Sequence, residues 1–127
     1  MVSIEEVSWE TCQDARAELR EVEILLGKEK YDDWSRALKS FLCAYFSADR
    51  PCIQKQGKSI SPVASGVREG KGLKVRFGYP GCGKSGGLRL AVLAHCDRRV
   101  VKITGAWRRK DDPEDEDFRR AFDRSVE

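Results

Sequence analysis

The chain has 127 residues, enough for one domain with a single core. Charged residues make up 35% and hydrophobic residues 40%, and three Trp, three Tyr and five Phe argue against a disordered chain. The net charge is only +3, so no strongly polyionic class follows, and no apolar run approaches the ~20 residues that a membrane span needs.

In chain order, Val2 to Val7 reads as a short strand with Val2 and Ile4 on one face. From about Trp9 to Leu26 the apolar positions Cys12, Ala15, Leu19, Val22 and Leu26 step by 3, 4, 3, 4, which is the spacing of an amphipathic helix. Gly27 ends it. A second helix follows from about Glu29 to Phe46, with Tyr31, Trp34, Leu38, Phe41 and Tyr45 at the same spacing. Ser47 to Gly72 is rich in Pro, Gly and Ser and reads as a loop. Three strands are expected at Leu73–Phe77, Leu88–Cys96 and Arg99–Trp107, the last two as a hairpin across Asp97-Arg98. A last helix is expected from Pro113 to about Arg124, with Asp112 as N-cap, acids in its first turn, and Phe118, Ala121 and Phe122 buried. The class is α+β: two N-terminal helices on a three- to four-stranded antiparallel sheet, then a C-terminal helix, in one domain over 1–127. With the helices on one face, the other sheet face is expected to be free for a ligand.

Basic residues concentrate between 50 and 110, whereas 111–118 is acidic. A local basic surface is the footprint of phosphate-backbone binding; the bland alternative is a solvated mixed-charge face. Five cysteines, at 12, 43, 52, 82 and 96, form no C-x-x-C pair and read as reduced thiols of a cytosolic protein. With one His and no ligand spacing, neither metal nor cofactor is expected. No signal peptide is visible at the N-terminus.

Gly78-Tyr-Pro-Gly-Cys-Gly83-Lys84-Ser85 has the form of a phosphate-binding P-loop. Such a loop needs a helix after the Lys-Ser, whereas Gly86-Gly87 and the period-two run from Leu88 indicate a hairpin between two strands. Nucleotide binding is therefore the weakest of the alternatives.

Lys71-Gly-Leu-Lys-Val-Arg76, then Gly83-Lys-Ser-Gly-Gly-Leu-Arg89, a hairpin, and Ala106-Trp-Arg-Arg-Lys110 before an acidic helix start resemble the RelE/HigB superfamily of bacterial toxins, its HigB-like branch in particular. The resemblance covers about residues 62–122. It departs at 47–61, which reads as an insertion, at Arg108-Arg109 where lysines are usual, and at Trp107 in place of Phe or Tyr. It implies the toxin of a type II toxin–antitoxin pair, a cytoplasmic ribosome-dependent mRNA endonuclease that inhibits translation. The partners implied are a cognate antitoxin, the ribosome and mRNA, with a homodimer or a toxin–antitoxin hetero-oligomer as the assembly. The alternative is a non-catalytic member, either a gyrase-targeting toxin of the ParE kind or a nucleic-acid-binding protein.

RNA cleavage needs a base for the 2′-hydroxyl, positive charge for the phosphorane-like transition state, an acid for the leaving oxygen, and a splayed nucleotide. Arg89 suits transition-state stabilisation, because guanidinium binds phosphate bidentately. With Lys74 and Arg109 it makes up the catalytic candidates. Arg76, Lys84, Arg108 and Lys110 are candidates for RNA or phosphate binding. Trp107 either stacks on a base or, sharing the alternation of Val101 and Ile103, belongs to the core. His95 lies about 20 Å along the strand from Arg89, at ~3.3 Å per residue, and is excluded from the same site.

Overall fold

A computed structural model of the chain describes residues 2–46, 59–67, 70–80, 87–108 and 113–123, with the side chains of 64–67 left aside. A 3-10 turn at Ile4–Glu6 is followed by β1 (Ser8–Thr11), α1 (Gln13–Leu26), α2 (Lys28–Cys43), β2 (Ile60–Val67), β3 (Gly70–Phe77), β4 (Leu88–His95), β5 (Val100–Arg108) and α3 (Asp115–Asp123). The class is α+β, with three helices and one five-stranded sheet in the order β1-β5-β4-β3-β2. The sheet is mixed rather than purely antiparallel, because β1 runs parallel to β5, with Trp9 opposite Val101 and Thr11 opposite Ile103.

The expected helices form, with shifted ends. Ala15, Leu19 and Val22 are the buried stripe of α1, and Trp34, Leu38 and Leu42 that of α2. Gly27 alone joins them at φ +84°, a left-handed value that glycine adopts without a Cβ clash. Its N–H donates to Glu23 O at 2.8 Å, and its own carbonyl accepts from Tyr31 N at 2.9 Å, so one residue ends one helix and starts the next.

Three expectations fail for physical reasons. Val2–Val7 is not a strand: the Ser3 backbone N–H and Oγ both donate to Glu6 Oε1, at 3.2 and 3.0 Å, and curl the segment into a turn. The strand comes later and takes up Trp9, which the helical spacing had claimed for α1. The stretch 47–72 is not all loop, since it contains β2 and the start of β3. Pro62 and the small residues of β2 disguise a strand at the sheet edge, where proline is tolerated, and a register shift falls between Pro62 and Ala64. Most of the insertion proposed at 47–61 lies outside the described residues, as does the N-cap Asp112. Finally, the second sheet face is not free, because α3 lies on it.

The core is consequently double. On one face Leu73, Val75, Leu88, Leu90, Val92, Val101 and Ile103 pack against α1 and α2. Trp34 anchors α2 to the β3–β4 connection by donating Nε1–H to Gly78 O at 2.8 Å. On the other face Phe118, Ala121 and Phe122 of α3 close over Ala91. Fully burying each phenylalanine contributes about 1.5–3 kcal/mol.

The P-loop-like string spans the connection between β3 and β4, which pair antiparallel, so its described flanks are those of a hairpin. Cys12 and Cys43 are free thiols, and burial pushes the Cys43 thiol up from its ordinary value. Cys96 is disulfide-bonded, which overturns the expectation of five reduced thiols. Among the described residues no helix is long and apolar enough to cross a membrane, and no group of side chains could hold a metal ion.

Candidate nucleic-acid interface

Strand register brings several of the expected residues together. Arg76 on β3 lies opposite Arg89 on β4, and Arg89 lies opposite Trp107 on β5. Directly opposed residues in antiparallel strands hold their Cβ atoms ~4.5–5.5 Å apart on one face. Arg76, Arg89 and Trp107 therefore form one cross-strand row. The next row is Lys74, Ala91 and Gly105. Their sequence neighbours Val75, Leu88 and Leu90 point into the core beneath α1 and α2, so both rows belong to the α3 side of the sheet.

Within β4, Arg89 is the single residue that is not buried. A cation is carried to the surface by a strand otherwise enclosed on both faces. Full enclosure of β4 required α3, so the period-two pattern of Leu88, Leu90 and Val92 showed only half of it.

Trp107 reaches this face through a β-bulge. Ala91 pairs with Gly105 but Val92 pairs with Ile103, leaving Thr104 as the extra residue. Thr104 is fully buried, and its Oγ1 donates to Ala91 O at 3.2 Å. Beyond it the alternation inverts. Val101 and Ile103 face the helical core, whereas Trp107 packs on Phe118 with ring centroids 5.0 Å apart. The simple alternation that tied Trp107 to Val101 and Ile103 does not survive the bulge.

The same inversion removes Arg108 from the expected RNA face. It points to the α1 side, where its Nε donates to Glu18 Oε1 at 2.6 Å and the pair is largely covered, at 26% and 20% side-chain exposure. The hydrogen bond to Glu18 raises the pKa of the guanidinium above its ordinary value, and the carboxylate's charge adds to it. Arg108 is a structural cation linking β5 to α1.

Lys74 is held from above. Its Nζ lies 3.0 Å from Asp115 Oδ1 and 5.4 Å over the Phe118 ring. Asp115 is three residues before Phe118, so the helical stripe that buries the ring also lowers the carboxylate onto the sheet. The acidic run is thus more than helix-start chemistry. Asp117 does serve the start, accepting the Glu114 N–H at 2.9 Å, but Asp115 answers Lys74. Sequence reasoning missed Asp115, and its three-residue offset from Phe118 was the available signal.

Two glycines admit α3. A Cβ at Gly72 would come within 2.6 Å of the Phe122 ring, and one at Gly105 within 2.6 Å of Trp107 and 3.0 Å of Ala121. At the far end of β4, His95 is 1% exposed and lies 3.1 Å from an Arg98 nitrogen, beneath Gly70 and apart from the arginine row. Among the described residues Lys71 has its pKa lowered, through burial, and it shares strand parity with Leu73 and Val75 rather than with Lys74. Lys84, Arg109 and Lys110 lie outside the described residues. The described interface is thus Lys74, Arg76, Arg89 and Trp107. It brings together two guanidinium groups, an ammonium paired with Asp115 and an indole, a set of side-chain types suited to single-stranded nucleic acid. No protein-family model matches the chain, and neither a curated protein nor a solved structure does.

Proposed function

We propose that the chain is the toxin of a type II toxin–antitoxin pair, with a RelE/ParE-like fold, and that it cleaves mRNA on the ribosome. The observation that carries this reading is Arg89, the one residue not buried on an otherwise buried strand, flanked across the sheet by Arg76 and Trp107. In the reaction the 2′-oxygen attacks the adjacent phosphorus, loses its proton, and expels the 5′-oxygen, which gains one. Arg89 neutralises the phosphorane-like transition state through paired N–H donors. Arg76 and Lys74 hold the flanking phosphates. Trp107 supports the displaced base. Lys84, Arg109 and Lys110 are the candidates for the remaining phosphate contacts and for proton transfer.

The partners in this reading are a cognate antitoxin, the ribosome and mRNA, and the site of action is the cytoplasm. In that reducing compartment the Cys96 disulfide is expected to open. The test is tightly controlled expression in a bacterium, with 5′ ends of cellular mRNA mapped within minutes. New cuts inside translated codons, lost in Arg89→Ala, are expected. Growth arrest without cuts replaces this reading with a non-catalytic one, such as gyrase poisoning.

A further inference from the structure

Beside the arginine row lies an open cleft of about 470 Å³ lined by Trp107, Asp117, Arg120 and Asp123. Its size is within the ~300–1,000 Å³ of small-molecule sites. Asp117, Arg120 and Asp123 are spaced by three along α3 and so share one helical face, while the opposite wall is the indole of Trp107. Asp117 holds Arg120 by a 2.9 Å ion pair and is itself fixed by the Glu114 N–H. Trp107 is seated on Phe118. The cleft therefore pairs a flat aromatic wall with a planar guanidinium and a carboxylate at the end of the helix. Its wall Trp107 is directly opposite Arg89, so the cleft adjoins the strand position that carries Arg89.

We infer that this cleft is a nucleobase pocket that selects bases carrying an exocyclic amino group. The inference rests on the nucleic-acid reading above and adds the specificity determinant to it. The base lies between the Trp107 indole and the Arg120 guanidinium, both of which stack on any base. Asp123 then accepts from the amino group of adenine, cytosine or guanine, as carboxylates do from cytosine N4. Where cytosine carries its N4 amino donor, uracil carries the O4 carbonyl, an acceptor that a carboxylate does not bind, so uracil keeps only its N3–H for Asp123 and binds more weakly.

The experiment uses the full chain and fluorescein-labelled 2′-O-methyl pentanucleotides, which cannot be cleaved: penta-adenylate, penta-cytidylate and penta-uridylate. Anisotropy titrations are run with the parent chain, Asp123→Asn and Trp107→Phe, each checked for folding by circular dichroism. The expected result is about tenfold tighter binding of the A and C oligomers than of U. Asp123→Asn, whose amide can donate to a carbonyl, should erase that difference by improving U binding. Equal affinity for all three oligomers, or a preference that survives Asp123→Asn, overturns the pocket. Base discrimination without cellular mRNA cuts would retain the pocket and sink the endonuclease reading. Cuts with no base preference in either assay would do the reverse.

Discussion

Lys74 Nζ and Asp115 Oδ1 meet at 3.0 Å across the gap between the sheet and α3, with the ammonium also over the Phe118 ring. The pair is 37% and 56% exposed, so its own contribution to stability is at most about 1 kcal/mol. Its consequence is for binding, because a phosphate reaching Lys74 must displace the carboxylate. We expect Asp115→Asn to tighten binding of an uncleavable single-stranded RNA severalfold at low salt, with little change in Tm. Weaker binding by the variant would show that Asp115 positions Lys74 for RNA rather than competing with it.

Arg108 gives the opposite expectation. Its ion pair with Glu18 is largely covered and ties β5 to α1. Arg108→Ala should lower Tm by a few degrees, since a partly buried carboxylate loses its partner. RNA affinity should stay within about twofold, because the side chain lies on the far side of the sheet. A large loss of RNA affinity without loss of stability would mean that the guanidinium leaves Glu18 to meet the ligand.

Gly72 and Gly105 set how closely α3 approaches. Either residue changed to Ala forces a methyl group to within 2.6 Å of a packed ring. Overpacking of this kind costs about 1–3 kcal/mol. Thermal melts should show the loss, and proteolysis should cut near α3 before the rest of the chain. A wild-type melt for Gly72→Ala would show that Phe122 can move aside.

At the N-terminal turn, Glu6 has its pKa lowered first by the Ser3 backbone N–H and then by the Ser3 hydroxyl and Arg99, which lies 2.7 Å away. A carboxylate depressed in the folded state stabilises it above the ordinary value of 4.5, and that stabilisation is lost as pH falls through the folded value. The turn should therefore loosen below about pH 4.5, read as amide-exchange protection at Glu6 and Val7. Glu6→Gln should show the loosened turn already at neutral pH. Protection that is flat with pH in the parent chain would contradict the assignment.

The cysteines provide a check on redox state. Five thiols are present in the sequence, so a purified, oxidised chain with its Cys96 disulfide intact should yield three on denaturation without reductant. Opening the bond should cost up to about 2–4 kcal/mol. Five thiols in material purified without reductant would show that the bond does not form.

Local pattern alone determined the helices α1, α2 and α3, because apolar residues repeating at 3 and 4 specify which face is buried whatever it packs against. It also determined β3, β4 and β5 and the antiparallel pairing of β3 with β4, since Gly86-Gly87 argues against a helix between them. The candidacy of Lys74, Arg76 and Arg89 rested on the phosphate affinity of their cations and on the resemblance to the RelE/HigB toxins. Three features were decided only by tertiary structure. β1 exists because β5 offers it an edge to pair with, and a four-residue strand carries too little pattern to announce itself. The direction of Trp107 and Arg108 turns on one extra residue at Thr104, and a bulge changes the parity of every position after it without altering the composition. The closeness of Asp115 to Lys74 spans 41 residues of chain and arises from where Phe118 and Phe122 are buried, a long-range packing result that no local window contains.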